Sequence, residues 1–153
     1  MICLGIESSA HTWGCAVVEK NSEGKCVILS NEKDALKTES GGLIPLELKK
    51  HHERVAEEVI SKALQNSGKS WKEIDLVSFA SGPGMAPALL VGMRFAKKLA
   101  KENKKPLLGV NHCVAHIEIG NIQNGLVGFV MSMCVHIIYG FVLRDLSRKL
   151  RAR

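Results

Sequence analysis

Ile2-Cys3-Leu4-Gly5-Ile6-Glu7-Ser8-Ser9-Ala10-His11-Thr12-Trp13-Gly14-Cys15-Ala16-Val17-Val18 opens the chain with an apolar run, a short polar break and a second apolar run. Runs of this length bounded by turn residues read as strands, Ile2 to Glu7 and Gly14 to Val18, and the short Ser8 to Thr12 break makes them antiparallel neighbours. A third strand, Lys25 to Ser30, follows Asn21-Ser22-Glu23-Gly24. Beyond this meander the periodicity changes. Pro45 opens a helix in which Ala56, Val59, Ile60, Ala63 and Leu64 recur on one face, and Gly68 supplies its stop. Leu76 to Ala80 reads as a buried strand, and Gly82-Pro83-Gly84 turns it into a second helix spanning Pro87 to Asn103. Leu107 to Val110 forms a further strand, which enters a helix capped by Asn111 and carrying His112 and His116. The order is β-β-β-α-β-α-β-α.

Three meandering strands followed by alternating helix and strand predict an α/β mixed sheet with helices on its faces, the ribonuclease H-like half-domain of the actin-like ATPase fold. That fold hosts many activities, so function has to be read from the site. With 153 residues, 46% hydrophobic and 24% charged, the composition excludes disordered, collagen-like and disulfide-scaffold classes. Five cysteines, odd in number and without a C-x-x-C pair, fit a reducing compartment, which predicts a cytoplasmic protein. The start, Met1 to Glu7, has no basic leader and reads as a mature terminus. The net charge of +6 is uneven: residues 121–153 hold five basic side chains against one acid, leaving +2 for the first 120. No general electrostatic grip on nucleic acid is visible before that tail.

Candidate chemistry lies first in the turn between the opening strands. Glu7, Ser8, Ser9, Thr12 and Gly14 supply backbone N–H groups and hydroxyls that can cradle a phosphate, with an acid at the strand end that can hold a metal through water. A polar hairpin turn has the same composition. His112 and His116, at i and i+4, project from one helical face toward a common ion, although a structural zinc site needs about four ligands. Cys113 follows His112 where H-E-x-x-H metalloproteases carry their glutamate base, and one step round the helix it is expected to be core. The adjacent His51 and His52, among Lys49, Lys50, Glu53 and Arg54, read as solvated surface. Ser81-Gly82-Pro83-Gly84 lacks the G-x-S-x-G elbow of a nucleophile, and its glycines serve a sharp turn.

Four blocks stand together in order: Gly5 to Gly14; Gly41-Gly42-Leu43-Ile44-Pro45 with His51-His52; Ser81-Gly82-Pro83-Gly84-Met85; and Gly109-Val110-Asn111-His112-Cys113-Val114-Ala115-His116-Ile117-Glu118. In sequence and spacing they resemble the tRNA threonylcarbamoyladenosine synthase family, and Ala10-His11-Thr12 is similar to its archaeal and eukaryotic KEOPS branch. The resemblance implies an actin-like fold of two lobes with a metal and nucleotide site between them. It implies transfer of a threonylcarbamoyl group from threonylcarbamoyl-adenylate to the adenosine beside the tRNA anticodon. His112 and His116 match the family's metal-binding histidines, which hold iron or zinc, and Glu7 to Gly14 match its first phosphate segment, where threonylcarbamoyl-adenylate or ATP is bound. The implied partners are tRNA and KEOPS-type subunits, including a small dimerising subunit and a small kinase. The family's older name, O-sialoglycoprotein endopeptidase, keeps a metal-dependent peptidase as an alternative that the absent glutamate disfavours.

The expected division is a first lobe over 1–120 and an unassigned apolar, then basic, tail over 121–153. Residues after Gly120 lack the resembled family's second-lobe glycine-rich motifs and the aspartate that completes its metal site, so the chain is expected to be inactive alone. The alternative is a non-catalytic partner-binding module of the same fold. Gly125 to Leu143 is long and apolar enough for a transmembrane helix, against which stand one or two strands of the missing lobe, or an out-of-register end produced by truncation or a reading-frame change, left without partners.

Overall fold

A computed structural model describes residues 1–22, 26–38 and 42–116. Its elements run β1 (Ile2–Glu7), β2 (Thr12–Lys20), β3 (Cys26–Ala35), α1 (Pro45–Ser67), β4 (Leu76–Gly82), α2 (Ala86–Glu102) and β5 (Leu107–Asn111), followed by helical residues 112–116. One five-stranded sheet orders them β3-β2-β1-β4-β5. The first three strands pair antiparallel, whereas β4 joins β1 and β5 joins β4 in parallel. This is the mixed sheet of the ribonuclease H-like class.

Strand β1 is central and buried at every residue, so its sequence shows no polar alternation. Its two faces nonetheless differ. Ile2, Leu4 and Ile6 join Trp13, Cys15, Val17, Val77 and Phe79 in the larger cluster under the two helices. Cys3 joins Ala16, Val18, Leu76, Ala80, Val110 and Ala115 on the opposite side. Leu4, Ile6 and Trp13 are fully buried, each stabilising the fold by roughly 1.5–3 kcal/mol through the apolar surface withdrawn from water.

Helix α1 begins with Pro45 at its first turn and ends at Gly68 in the left-handed conformation (φ 66°), as its sequence predicts. It lies over β2 and β3, while α2 lies over β4 and alongside α1. Its buried stripe runs Leu48, His51, His52, Val55, Ala56, Val59, Ile60 and Ala63. The expectation that His51 and His52 are solvated is therefore wrong: they are 4% and 0% exposed. They fall three and four residues after Leu48 and four before Val55 and Ala56, in the stripe itself. The third strand also extends beyond its expected end at Ser30, to Ala35. Residues 31–35 are mostly polar and, among the described residues, form an outer strand paired only on its β2 side, which leaves no apolar signature to read.

Asn111 ends β5 and accepts at Oδ1 a hydrogen bond from the Val114 N–H at 3.1 Å, capping the expected helix. On that helix Ala115 faces the sheet and is buried, and Cys113, two residues and about 200° away, is exposed rather than core. Among the described residues no helix is long and apolar enough to cross a membrane. The stretch Gly125 to Leu143, and the expected tail over 121–153, lie outside the described residues.

Candidate metal and phosphate site

All four sequence blocks converge on the turn between β1 and β2. The Gly82-Pro83-Gly84 loop, with a cis Gly82–Pro83 peptide, crosses this turn, and the Met85 N–H donates to the Ser9 carbonyl at 2.7 Å. A Cβ at Gly84 would stand 2.6 Å from that carbonyl oxygen, so only glycine permits the approach. From α2, Gly92 faces Ser8, where a Cβ would collide with Oγ. The second block reaches the turn through His52, whose Nε2 lies 3.0 Å from the Ala10 carbonyl oxygen.

The fourth block arrives through Glu7. Its carboxylate is fully buried and lies 3.1 Å from His112 Nδ1, 105 residues away in sequence. The Ser9 backbone N–H donates to its other oxygen. Burial works to raise the Glu7 carboxyl, but the hydrogen bonds from His112 and Ser9 prevail and hold it below its ordinary value. The same contact raises His112 against the effect of burial.

A carboxylate can only accept, so Glu7 fixes the proton of His112 on Nδ1 and directs the Nε2 lone pair outward. That Nε2 stands 3.1 Å from His116 Nε2. Two nitrogens each about 2.0–2.1 Å from one tetrahedral ion are separated by roughly 3.3 Å, so the pair fits as two ligands of a common metal. Burial, and then the charge on His112, lower His116 and favour its neutral, ligating form. Among the described residues no three His, Cys, Asp or Glu side chains converge as a metal cluster. The site as described is a two-nitrogen platform backed by one carboxylate.

The remaining turn residues divide. Ser8 and Ser9 are 1% and 4% exposed, Gly14 is buried, and Thr12 is half-buried at the crown beside the exposed His11. Ser8 Oγ has no hydrogen-bond partner among the described residues and is turned against α2. A ligand approaching from solvent therefore meets Ala10 to Thr12 first. Sequence reasoning named Glu7 as a water-mediated metal holder and missed its pairing with His112, because nothing local to Glu7 announces a partner over a hundred residues away. It also missed the inward role of His51 and His52, for which continuing the apolar stripe back to Leu48 was the available signal.

Residues 27–138 match the family model described as TsaD: tRNA N6-adenosine threonylcarbamoyltransferase. The chain belongs to this family. A curated threonylcarbamoyltransferase of Thermococcus kodakarensis is 44% identical over 119 residues, covering 78% of this chain and 35% of that protein. The chain thus spans about a third of the length of the curated relatives it matches. Among solved structures, YeaZ from Pseudomonas aeruginosa superposes with a TM-score of 0.59 at 15% identity, covering 81% of this chain and 49% of that one. Thermus thermophilus RuvC gives 0.59 at 15% identity, over 99% and 97% of the two chains. At such identities these two likenesses speak for the fold alone, and both are members of the ribonuclease H-like and actin-like class.

Proposed function

We propose that this chain contributes the first lobe of an enzyme transferring a threonylcarbamoyl group from threonylcarbamoyl-adenylate to the adenosine beside a tRNA anticodon. The observation that carries the reading is the pair of Nε2 atoms of His112 and His116 at 3.1 Å, with Glu7 buried behind the first ring. His112 and His116 would hold an iron or zinc ion, which would supply the positive charge to polarise a carbonyl or phosphate oxygen of the anionic adenylate. Glu7 keeps His112 in the ligating tautomer, and the Ala10 to Thr12 crown receives the phosphate of the adenylate or of ATP. A closed site needs about four ligands, and the resemblance implies that the second lobe supplies the rest. The family membership supports a tRNA substrate and cytoplasmic work.

The partners are KEOPS-type subunits, with a small dimerising subunit on α1 and α2 and a small kinase in the same assembly. An apolar groove between those helices, lined by Ile60, Leu64, Trp71, Phe95 and Leu99, supports the docking and is the observation favouring a partner-binding module as the second reading. A peptidase has no such support: the residue after His112 is Cys113, and no general base stands there.

Metal content and competition titration of the chain separate these readings. The enzyme reading expects one iron or zinc per chain, lost in His112→Ala and His116→Ala, and a metal affinity reduced roughly 10–100-fold in Glu7→Gln. Metal binding indifferent to both histidines, with partner binding intact, would leave the docking module.

A further inference from the structure

His51 and His52 are absorbed by no part of the metal and phosphate reading, yet they are among the few polar side chains buried in the core. Neighbouring helix positions normally diverge, but here the two rings meet, Nδ1 to Nδ1, at 3.1 Å. From the outer end, Asp34 on β3 reaches His51 Nε2 at 2.8 Å, its own side chain half exposed. From the inner end, His52 Nε2 reaches the Ala10 carbonyl oxygen at 3.0 Å. Trp13 meets the His52 ring edge-on with centroids 5.5 Å apart, and Trp13 is the cross-strand partner of Asp34.

The ends of this chain fix its protons. A carboxylate and a peptide carbonyl can only accept, so both Nε2 atoms must donate, and the Nδ1–Nδ1 contact needs one donor. Burial and the charge on His51 lower His52 to about 4, against the opposing pull of the Ala10 carbonyl and Glu7, and His11 adds to the lowering. His52 is then the neutral ring.

We infer that Asp34, His51 and His52 form a polar strut from the outer strand to the β1–β2 turn, making His51 and His52 positioning residues for that turn. That the positioned turn receives a phosphate rests on the proposed function above; the strut itself does not. Fixed from α1 through Ala10, from the Gly84 loop through Ser9 and from the His112 helix through Glu7, the turn is held on three sides.

The test uses the 153-residue chain. Long-range imidazole 15N spectra at pH 7 should show His52 neutral and protonated at Nε2. His52→Leu keeps the volume and removes the donor, whereas His52→Gln can still present an amide N–H to Ala10. In His52→Leu, amide exchange across Ser9 to Thr12 should accelerate about fivefold, the weight of one net hydrogen bond, with α2 and β4 unchanged and His52→Gln close to wild type. Should His52→Leu not fold, Asp34→Asn at its half-exposed position should loosen the same amides. A His52 ring without its Nε2 proton at pH 7, or turn amides indifferent to both changes, would overturn the strut. ATP titration separates the two layers: a loosened turn with unchanged ATP affinity keeps the strut and removes the phosphate role.

Discussion

His52 is a fully buried imidazole between Trp13 and a backbone carbonyl, and its environment gives a pH dependence with a definite sign. Burial first, then the charge on His51, lowers it from 6.5 to about 4. Between those values the unfolded chain takes up a proton that the folded chain refuses, so stability falls as the pH drops below 6.5 and the contribution is whole above it. Melting temperatures measured from pH 7 to pH 4.5 should therefore fall more steeply for the wild type than for His52→Gln, which has no proton to gain. In a Trp71→Phe background Trp13 is the remaining tryptophan, and its fluorescence reports the ring beside it. Parallel pH profiles for wild type and His52→Gln would remove His52 from the account. The residue scale is also where the sequence was least legible. A histidine pair flanked by lysine, glutamate and arginine resembles a solvated face, and only the phase of α1, counted from Leu48, reveals that the same two positions point inward.

At the scale of elements, the approach of α2 to the β1–β2 turn depends on what Gly92 lacks. Replacing it with alanine gains up to about 1 kcal/mol of helix propensity. The added Cβ, however, meets the buried Ser8 side chain, and overpacking of this kind costs about 1–3 kcal/mol. Gly92→Ala should therefore lower stability in denaturant unfolding. Because Ser8 Oγ has no hydrogen-bond partner among the described residues, Ser8→Gly removes the colliding atoms without breaking a bond there. The double variant should recover most of the loss, a coupling that a double-mutant cycle reads directly. If the two changes are additive instead, the close packing of α2 on the turn is not what makes Gly92 necessary. Elements were the most legible scale: Pro45, Gly68, the Gly82–Gly84 turn and the Asn111 cap announce their helix ends locally. The polar half of β3 escaped because a strand paired on one side among the described residues need not be apolar, and its pairing to Thr12–Ala16 is a property of the sheet.

On the scale of the whole molecule, the two imidazoles stand together, the tautomer of His112 is set from within this lobe, and no three candidate ligands converge among the described residues. The curated relatives are about three times as long as the matched stretch. Under the proposed function, an ion between two lobes would divide the labour: this lobe would orient its ligands through buried contacts, and the other would bring the remaining donors when the lobes meet. The two faces of this lobe should then be separable by mutation. Supplying the complementary part of a relative in trans should restore threonylcarbamoyladenosine on tRNA, read by nucleoside mass spectrometry, and His112→Ala or His116→Ala should abolish it. The α1–α2 groove lies on the other side of the sheet from Val110, just before this histidine helix, and Ala115, on it. Phe95→Glu in that groove should therefore weaken capture of a partner subunit while leaving metal uptake at the histidines unchanged. Restoration that ignores both histidines would mean the chemistry is carried wholly by the added part, with this lobe serving only as the surface on which it assembles.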